Sequence, residues 1–584
     1  MTPPNPTPDL FDAPTAHQQF ALARQAARQF IVEVEAEQQL DWARSFCTVM
    51  QQRYWRQRAR AARCDWEPPT STISAKLPAE QHRIATHLGV LAAAFDDIEA
   101  GFRLGSVYTA LLPAVLRSRW GAYYTPSAYV QLLLGRIEQA GFDWRRGSAV
   151  DPACGGGAFL TPVALRMQAA LAPAEPGSVL DHIASHLSGF EIDPFAAWTS
   201  QLCVEAALLP LCQQAGRRLP ALVSVGDSLA ADTGRRFDLV VGNPPYGKVT
   251  LEPALRQRYA RSLYGHANLY GLFADLSLRW ALPDGVIALV TPTSFLGGQY
   301  FKALRALLAD TAPLRSIDFV DERSGVFEDV LQETSLAVFV KGAPRTAATV
   351  HAAQREGDLA VRTEPLGEHR IGPGDGPWLL PRLGTQRRLI ARAGRMPTRL
   401  ADYGMSVSTG PLVWNRHKTQ LRAQRSVADH PLIWAECVSA EGFRFDPQRK
   451  HHAPFIEVED GQGHLLIACA CLLVQRTTAK EQRRRLIGAV MPGEFVTRYR
   501  GVVVENHLNV ITPVTSTAVG LDALCALLNS EAVDQAFRCI SGSVAVSAYE
   551  LNDLPLPDPA TLARLSGANP GAFESALSRL YGLS

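Results

Sequence analysis

"VDPACGGGAFL", residues 150 to 160, is the stretch on which the fold turns. A short apolar run ends on an acid, Asp151, and three consecutive glycines, Gly155 to Gly157, then precede a helical segment. A loop this bare of side chains lets backbone approach a bound nucleoside closely. In parallel α/β sheets ligands sit outside the carboxyl ends of the strands. The spacing is not the dinucleotide pattern G-x-G-x-x-G, and no Gly-Lys-Ser/Thr follows as it would in a P-loop. Alone, the run could be no more than a flexible glycine turn.

The surrounding chain repeats the arrangement. Between about 145 and 341, the runs "SAVD", "LSGFEID", "LVSVGD", "FDLVVGN", "GVIALVTP", "SIDFVDE" and "TSLAVFVK" alternate with longer helical stretches. Strands alternating with helices imply a mostly parallel sheet covered on both faces. "GFEIDP" puts Glu191 at the second strand end, where a carboxylate can accept hydrogen bonds from both ribose hydroxyls. "VGDSL" puts Asp227 at the third, placed to accept from the amino group of a bound adenine nucleoside. Each acid alone reads as a surface residue or helix cap. Three acid-tipped strand ends in order read as a site.

The fourth strand end is "LVVGNPPYGKV", residues 239 to 249. A buried strand running into two prolines gives a rigid, tight loop. The exocyclic amine of adenine is a poor nucleophile because its lone pair is delocalised into the ring. Two acceptors can hold its hydrogens and bias the nitrogen toward tetrahedral geometry. The side-chain carbonyl of Asn243 supplies one and the main-chain carbonyl of Pro244, fixed by Pro245, the other. Tyr246 offers a face on which a base can stack, worth roughly 1–3 kcal/mol. The plain alternative is an Asn-Pro turn with a tyrosine anchor.

Bulk properties bound these readings. A chain of 584 residues is too long for one core and implies two to four domains. Hydrophobic residues at 47% and charged residues at 20% are those of an ordinary globular protein. A net charge of +2 makes the whole chain no nucleic-acid magnet, although a local basic face is compatible with it. The ten cysteines show no repeated metal spacing. Cys469 and Cys471, in "LLIACACLLV", read as strand interior, so no metal site is expected. "MTPPNPTPDLFD" lacks a basic-then-apolar signal pattern, and the longest apolar run is too short for a bilayer. A cytoplasmic protein with reduced thiols is the expectation.

"DPACGGGAFL", "GFEIDP", "GDSL" and "GNPPYG", in this order, resemble the S-adenosylmethionine-dependent N6-adenine DNA methyltransferases, and within them the subgroup of the TaqI and Eco57I modification enzymes. "GAYYTPSAYVQLLL" (121 to 134) is similar to the segment that closes over the methionine part of the cofactor there. "HANLYGLFADLSLRWALPDGVIALVTPTSFL" (266 to 296) matches the following helix and fifth strand. The resemblance implies a Rossmann-like, mostly parallel seven-stranded sheet. It assigns S-adenosylmethionine to Thr125, Pro126, Asp151, Ala153, Cys154, Gly155, Gly157, Glu191, Ile192, Asp227, Ser228, Asn243, Pro245 and Phe273, the last packing on the cofactor adenine. It makes Asn243, Pro244, Pro245 and Tyr246 catalytic, with Tyr246 and Phe327, in "SGVFEDVLQETSLAVFVKG", stacking on a target base flipped out of the duplex. One departure is small: the subgroup's reference member has Glu where Asp151 stands. The match covers roughly 115 to 345 strongly and 396 to 558 loosely.

The implied layout is a helical N-terminal region (1–115), a catalytic domain (116–345), a connection (346–395), a mixed α+β target-recognition domain (396–558) and a tail (559–584). Within the fourth part, "QRTTAKEQRRRL" supplies Arg476, Lys480, Arg483, Arg484 and Arg485 as a phosphate grip. A solvated charged face is the bland reading of the same residues. The expected partner is double-stranded DNA, with a cognate restriction endonuclease or defence-system protein as a further candidate. Glutamine methyltransferases acting on release factors and RNA methyltransferases also carry NPPY, but they are usually shorter and lack so large a basic C-terminal region. An inactive DNA-binding subunit is disfavoured by the intact glycine loop. A fused nuclease is disfavoured because the first 115 residues hold no PD-x(n)-(D/E)-x-K pattern.

Overall fold

The computed structural model describes residues 15–71, 73, 76–120, 125–320, 333–356, 360–448, 451–478, 482–515, 519–540 and 545–583. The N-terminal region is helical, as its composition indicates: α1 (Ala16–Val32), α2 (Gln39–Ala61), α3 (Ala79–Ala92) and α4 (Asp97–Leu111). Thr15 starts α1 with a capping box shared with Gln18, and Asp96 starts α4 by accepting from the backbone of Ile98 and Glu99. The apolar faces do not close on themselves alone. Phe46, Met50, Trp55, Leu88 and Leu104 form one core with Phe195, Leu202 and Cys203 of the helix Pro194–Ala207. The N-terminal helices therefore share a hydrophobic core with the α/β region.

That region is built on nine strands: β1 (Ala149–Asp151), β2 (Leu187–Glu191), β3 (Val223–Val225), β4 (Phe237–Gly242), β5 (Ala281–Pro292), β6 (Leu314–Val320), β7 (Thr334–Val340), β8 (Ala348–Glu356) and β9 (Ala360–His369). Their order across the sheet is β9-β8-β6-β7-β5-β4-β1-β2-β3. From β3 to β5 every pairing is parallel. β7 lies antiparallel between β5 and β6, and β8 runs parallel to β6. Helices cover both faces. Ser127–Gln139 and Leu160–Leu171 pack on one side, Leu269–Trp280 and Lys302–Thr311 on the other.

The expected sheet of seven strands corresponds to β1–β7, and β8 and β9 extend it by two. They lie in the segment expected to be a connection. Their sequences, "ATVHAAQRE" and "AVRTEPLGEH", mix polar residues through a solvent-facing edge, and most of β9 is exposed or half-buried. An edge hairpin of this kind lacks the continuous apolar run of a strand buried on both faces.

The C-terminal side holds a four-stranded sheet, Met405–Thr409, Leu508–Pro513, Cys471–Gln475 and Gly488–Met491 in spatial order, and a five-stranded one centred on Asp429–Ile433. Cys471 is buried in a strand, as expected. Cys469 sits ahead of that strand and is exposed, which corrects its reading as strand interior. The main core here runs from Leu389 and Ile390 through Phe537 to Leu577 and Tyr581. It takes in the helix Arg387–Ala393, before the expected boundary, and Pro559–Leu565 and Pro570–Tyr581, beyond it.

Candidate active site

The sheet register brings the acid-tipped strand ends to one edge: Asp151 pairs beside Gly189, Glu191 beside Val225, and Val150 beside Val240. A Cβ on Gly242, the last residue of β4, would lie 2.6 Å from Asp151 Oδ1, so glycine is what lets β4 pass that carboxylate. A cavity of about 300 Å³ opens at this edge. Thr125, Asp151, Ala153, Cys154, Gly155, Glu191, Ile192, Asp227, Ser228, Asn243, Pro245 and Phe273 all line it. Of the residues expected around a cofactor, Pro126 and Gly157 are not on its wall. Gly157 (φ 86°) serves packing instead, since a Cβ there would meet Ser200 Oγ at 2.8 Å.

Hydrogen bonds lock the strand ends together. The Gly155 N–H donates to Glu191 Oε2 at 2.9 Å and the Asp193 N–H to Glu191 Oε1 at 2.9 Å. The Ala153 N–H donates to Asp151 Oδ1 at 3.0 Å, and the Ser228 hydroxyl to the Pro152 carbonyl at 2.6 Å. Asp227 Oδ1 accepts from the Leu229 N–H at 2.9 Å. Asp151 is 1% exposed, and burial pushes its carboxyl up to about 8, opposed by the Ala153 N–H and reinforced by the charge of Glu191. Loss of solvent also raises Glu191, against the two N–H groups it accepts from. The buried carboxyl of Asp151 and the half-buried one of Glu191 at one wall favour a guest that carries positive charge.

β4 is buried along most of its length and delivers Asn243 to the cavity. The Tyr246 hydroxyl donates to Asn243 Oδ1 at 2.8 Å and to the Val290 carbonyl of β5 at 3.3 Å. The Tyr246 ring, 8% exposed, packs edge-on against Tyr270 with centroids 6.0 Å apart. Neither it nor Pro244 lines the cavity, so the expected stacking face of Tyr246 is turned into the core here. Phe327 lies outside the described residues.

Other wall residues escaped the sequence reading. Leu251, Glu252 and Leu255 follow the NPPY loop and close one side, and Tyr108 and Leu112 come from the end of α4 and the residue after it. Helical periodicity shows that 97–111 is a helix, but not which face docks on a cavity about 40 residues further along the chain.

In the basic cluster, Arg483 is exposed and Arg484 half-buried; both line a second, open cavity of about 490 Å³ with Gln482 and Asn529. Arg476 is half-buried between two other segments. It donates to the Asn506 carbonyl at 3.1 Å, and its own carbonyl accepts from Val546 at 2.7 Å. Arg485 is not part of the exposed grip. It is 2% exposed, its Nε donates to Thr478 Oγ1 at 3.1 Å, and its guanidinium lies 5.8 Å from the Phe537 centroid. Asp534 accepts from the N–H groups of Arg485 and Leu486, drawing the third arginine of the run into the core. Lys480 lies outside the described residues.

Residues 221–327, from the third strand end past the NPPY loop, match the Eco57I restriction-modification methylase family. Over 346 residues the chain is 26% identical to the Type II methyltransferase M.PstI of Providencia stuartii, covering 57% of this chain and 68% of that one. It is also 26% identical over 338 residues to M.BsuBI of Bacillus subtilis, covering 57% and 67%. Among solved structures, the Type IIL restriction-modification enzyme MmeI in complex with DNA matches 98% of this chain and 97% of that chain, at 13% identity and a TM-score of 0.52. That is a likeness of fold. By sequence, the chain is similar over a little more than half of its length to Type II methyltransferases.

Proposed function

We propose that this protein is a site-specific, adenine-directed DNA methyltransferase that transfers a methyl group from S-adenosylmethionine to N6 of an adenine flipped out of duplex DNA. The observation that carries the reading is the opening of Asn243 and Pro245 into the same cavity as Glu191, Asp227 and Phe273. An amine-gripping loop and a nucleoside-gripping wall thus share one space. The donor set suits the cofactor. Glu191, held from behind by two N–H groups, is placed for the ribose hydroxyls, Asp227 for the adenine amino group, and Phe273 for the face of the ring. The buried Asp151 and half-buried Glu191 carboxyls suit a cationic guest. When bound, S-adenosylmethionine supplies an electrophilic methyl group.

The chain's own part in the chemistry is positional. Asn243 Oδ1, on the cavity wall, accepts one N6 hydrogen, and the Pro244 carbonyl, which does not line the cavity, would accept the other once a base is seated, so that the lone pair is drawn out of conjugation. Correct aim at short range contributes most of the acceleration. The base must leave the stack, because its N6 is otherwise buried in the pair. Arg476, Arg483 and Arg484 on the C-terminal side would hold phosphates beside the vacated position. The activity suits the modification arm of a restriction-modification or related defence system.

The test is incubation of the full chain with duplex DNA and S-adenosylmethionine carrying a labelled methyl group, followed by digestion to nucleosides and mass spectrometry. Label in N6-methyladenine is expected. Label in a cytosine, or transfer only to RNA or to a release-factor glutamine, would overturn the reading. Asn243→Ala should lose transfer and keep cofactor binding.

A further inference from the structure

Helix α4 carries polar side chains that reach two flanks of the cavity. Near its end, Tyr108 lines the cavity, is 2% exposed, and donates its hydroxyl to Asp193 Oδ2 at 2.6 Å. The other oxygen of Asp193 accepts from Arg44 of α2 at 2.8 Å and from the Phe195 N–H at 3.0 Å. The backbone N–H of Asp193 is one of the two that hold the Glu191 carboxylate. Near the start of α4, Glu99 is 2% exposed and accepts from Arg103 Nε at 2.6 Å and from the Ser127 hydroxyl. Ser127 opens the helix Ser127–Gln139 two residues after Thr125, another wall residue. Glu99 and Tyr108, nine positions apart, are separated by about 13 Å of helix. One rigid rod thus fixes both the Glu191 loop and the Thr125 loop.

These anchors are buried and charged or strongly polar. Such groups are costly to bury unless each finds its partner, so the geometry is tightly determined. Packing of α4 on the helix Pro194–Ala207 through Leu104 and Phe195 would need only apolar contact. The polar anchors instead converge on the two loops that bound the cavity. We propose that α4 is an integral part of the cofactor site, with Tyr108 and Arg44 positioning Glu191 through Asp193, and Glu99 positioning the Thr125 loop through Ser127. On this account the N-terminal helices belong to the methyltransferase itself. The proposal rests on the cofactor reading above and adds to it a role for a region to which the motifs give none.

Tyr108→Phe, made in the full chain, keeps the ring and removes the donor. Arg44→Gln leaves Asp193 its other two donors. Calorimetric titration with S-adenosylmethionine and with S-adenosylhomocysteine should show each variant binding roughly tenfold more weakly, the effect of losing one hydrogen bond to a charged group. The KM for S-adenosylmethionine should rise by the same factor, well beyond any change in turnover at saturating cofactor, while the affinity for DNA stays at the wild-type value. Combining Tyr108→Phe with Asp193→Asn should weaken binding no further than Asp193→Asn alone, because the two act through one contact. Unchanged cofactor affinity in both Tyr108→Phe and Arg44→Gln would overturn the proposal, as would an equal loss of cofactor and DNA binding. A wild-type chain that does not bind S-adenosylmethionine would overturn the functional reading, and this proposal with it.

Discussion

The hydroxyl of Tyr246 donates to the amide oxygen of Asn243 across 2.8 Å. An amide oxygen has two acceptor sites, and Tyr246, buried off the cavity wall, occupies one of them. The bond ties the Asn243 side chain to a phenol that is itself held by the Val290 carbonyl of β5. Tyr246→Phe should therefore lower the methyl-transfer rate by roughly tenfold, as expected on removing one orienting hydrogen bond, with cofactor affinity unchanged. Single-turnover kinetics with cofactor in excess would read this directly. A Tyr246→Phe enzyme as fast as wild type would show that Asn243 is oriented by other groups.

Asp151 sets a pH dependence. Its carboxyl is pushed up to about 8 by burial, so below that pH it is largely neutral in the folded protein. A cationic cofactor favours the ionised form, so binding below about pH 8 must expel a proton. Affinity should rise as pH is raised from about 6 and level off above about 8 to 9. Calorimetry in two buffers of different ionisation heat would measure the proton released. Stability runs the other way. The unfolded chain ionises this group near 3.9, so the folded state is penalised progressively from about pH 4 to about pH 8. Asp151→Asn should flatten both curves, and thermal melts across that range would show it.

Gly157 combines a φ of 86° with a neighbour, Ser200 Oγ, 2.8 Å from where a Cβ would stand. Gly157→Ala should destabilise the fold by about 1–3 kcal/mol, the left-handed backbone and the clash both contributing. Pairing it with Ser200→Ala, which removes the hydroxyl without weakening the helix Pro194–Ala207, should recover only the part owed to Oγ. Urea denaturation of the two variants would separate backbone strain from crowding.

The three successive arginines 483 to 485 should behave differently. Neutralising Arg483 and Arg484 should weaken binding to all DNA sequences and reduce the salt dependence by about one unit of slope for each phosphate no longer neutralised. Arg485→Ala should instead lower the melting temperature, because it vacates a buried place between Thr478 and Phe537. Fluorescence anisotropy across a salt series, set beside thermal melts, would distinguish the two effects.

Much of the site was legible because its residues sit at strand ends, where sequence spacing and spatial adjacency coincide. Asp151, Glu191, Asp227 and Asn243 are scattered over nearly a hundred residues but meet at one sheet edge, as alternating strands and helices require. Side chains whose place depends on tertiary docking were not legible. Tyr108 and Leu112 reach the cavity only because the N-terminal helices share a core with Pro194–Ala207. The inward turn of Arg485 is set by Asp534, some fifty residues on. Gly157 looked like its neighbours in the glycine run, and only the third dimension shows that it faces a helix.

The C-terminal core bears on how specificity could be moved between enzymes. Its two sequence boundaries adjoin: Leu556 donates its backbone N–H to Thr398, Tyr403 donates its hydroxyl to Pro557, and a Cβ on Gly582 would rest 3.2 Å from Arg392. A chimera cut at 396 and 558 would therefore leave Leu389, Ile390, Leu577 and Tyr581 behind while moving Leu472, Leu527 and Phe537, and so split one hydrophobic interior between two proteins. A graft that begins between Leu380 and Arg387 and continues through Gly582 would carry its own interior with it and leave Trp378 and Leu380 in the core of the α/β region.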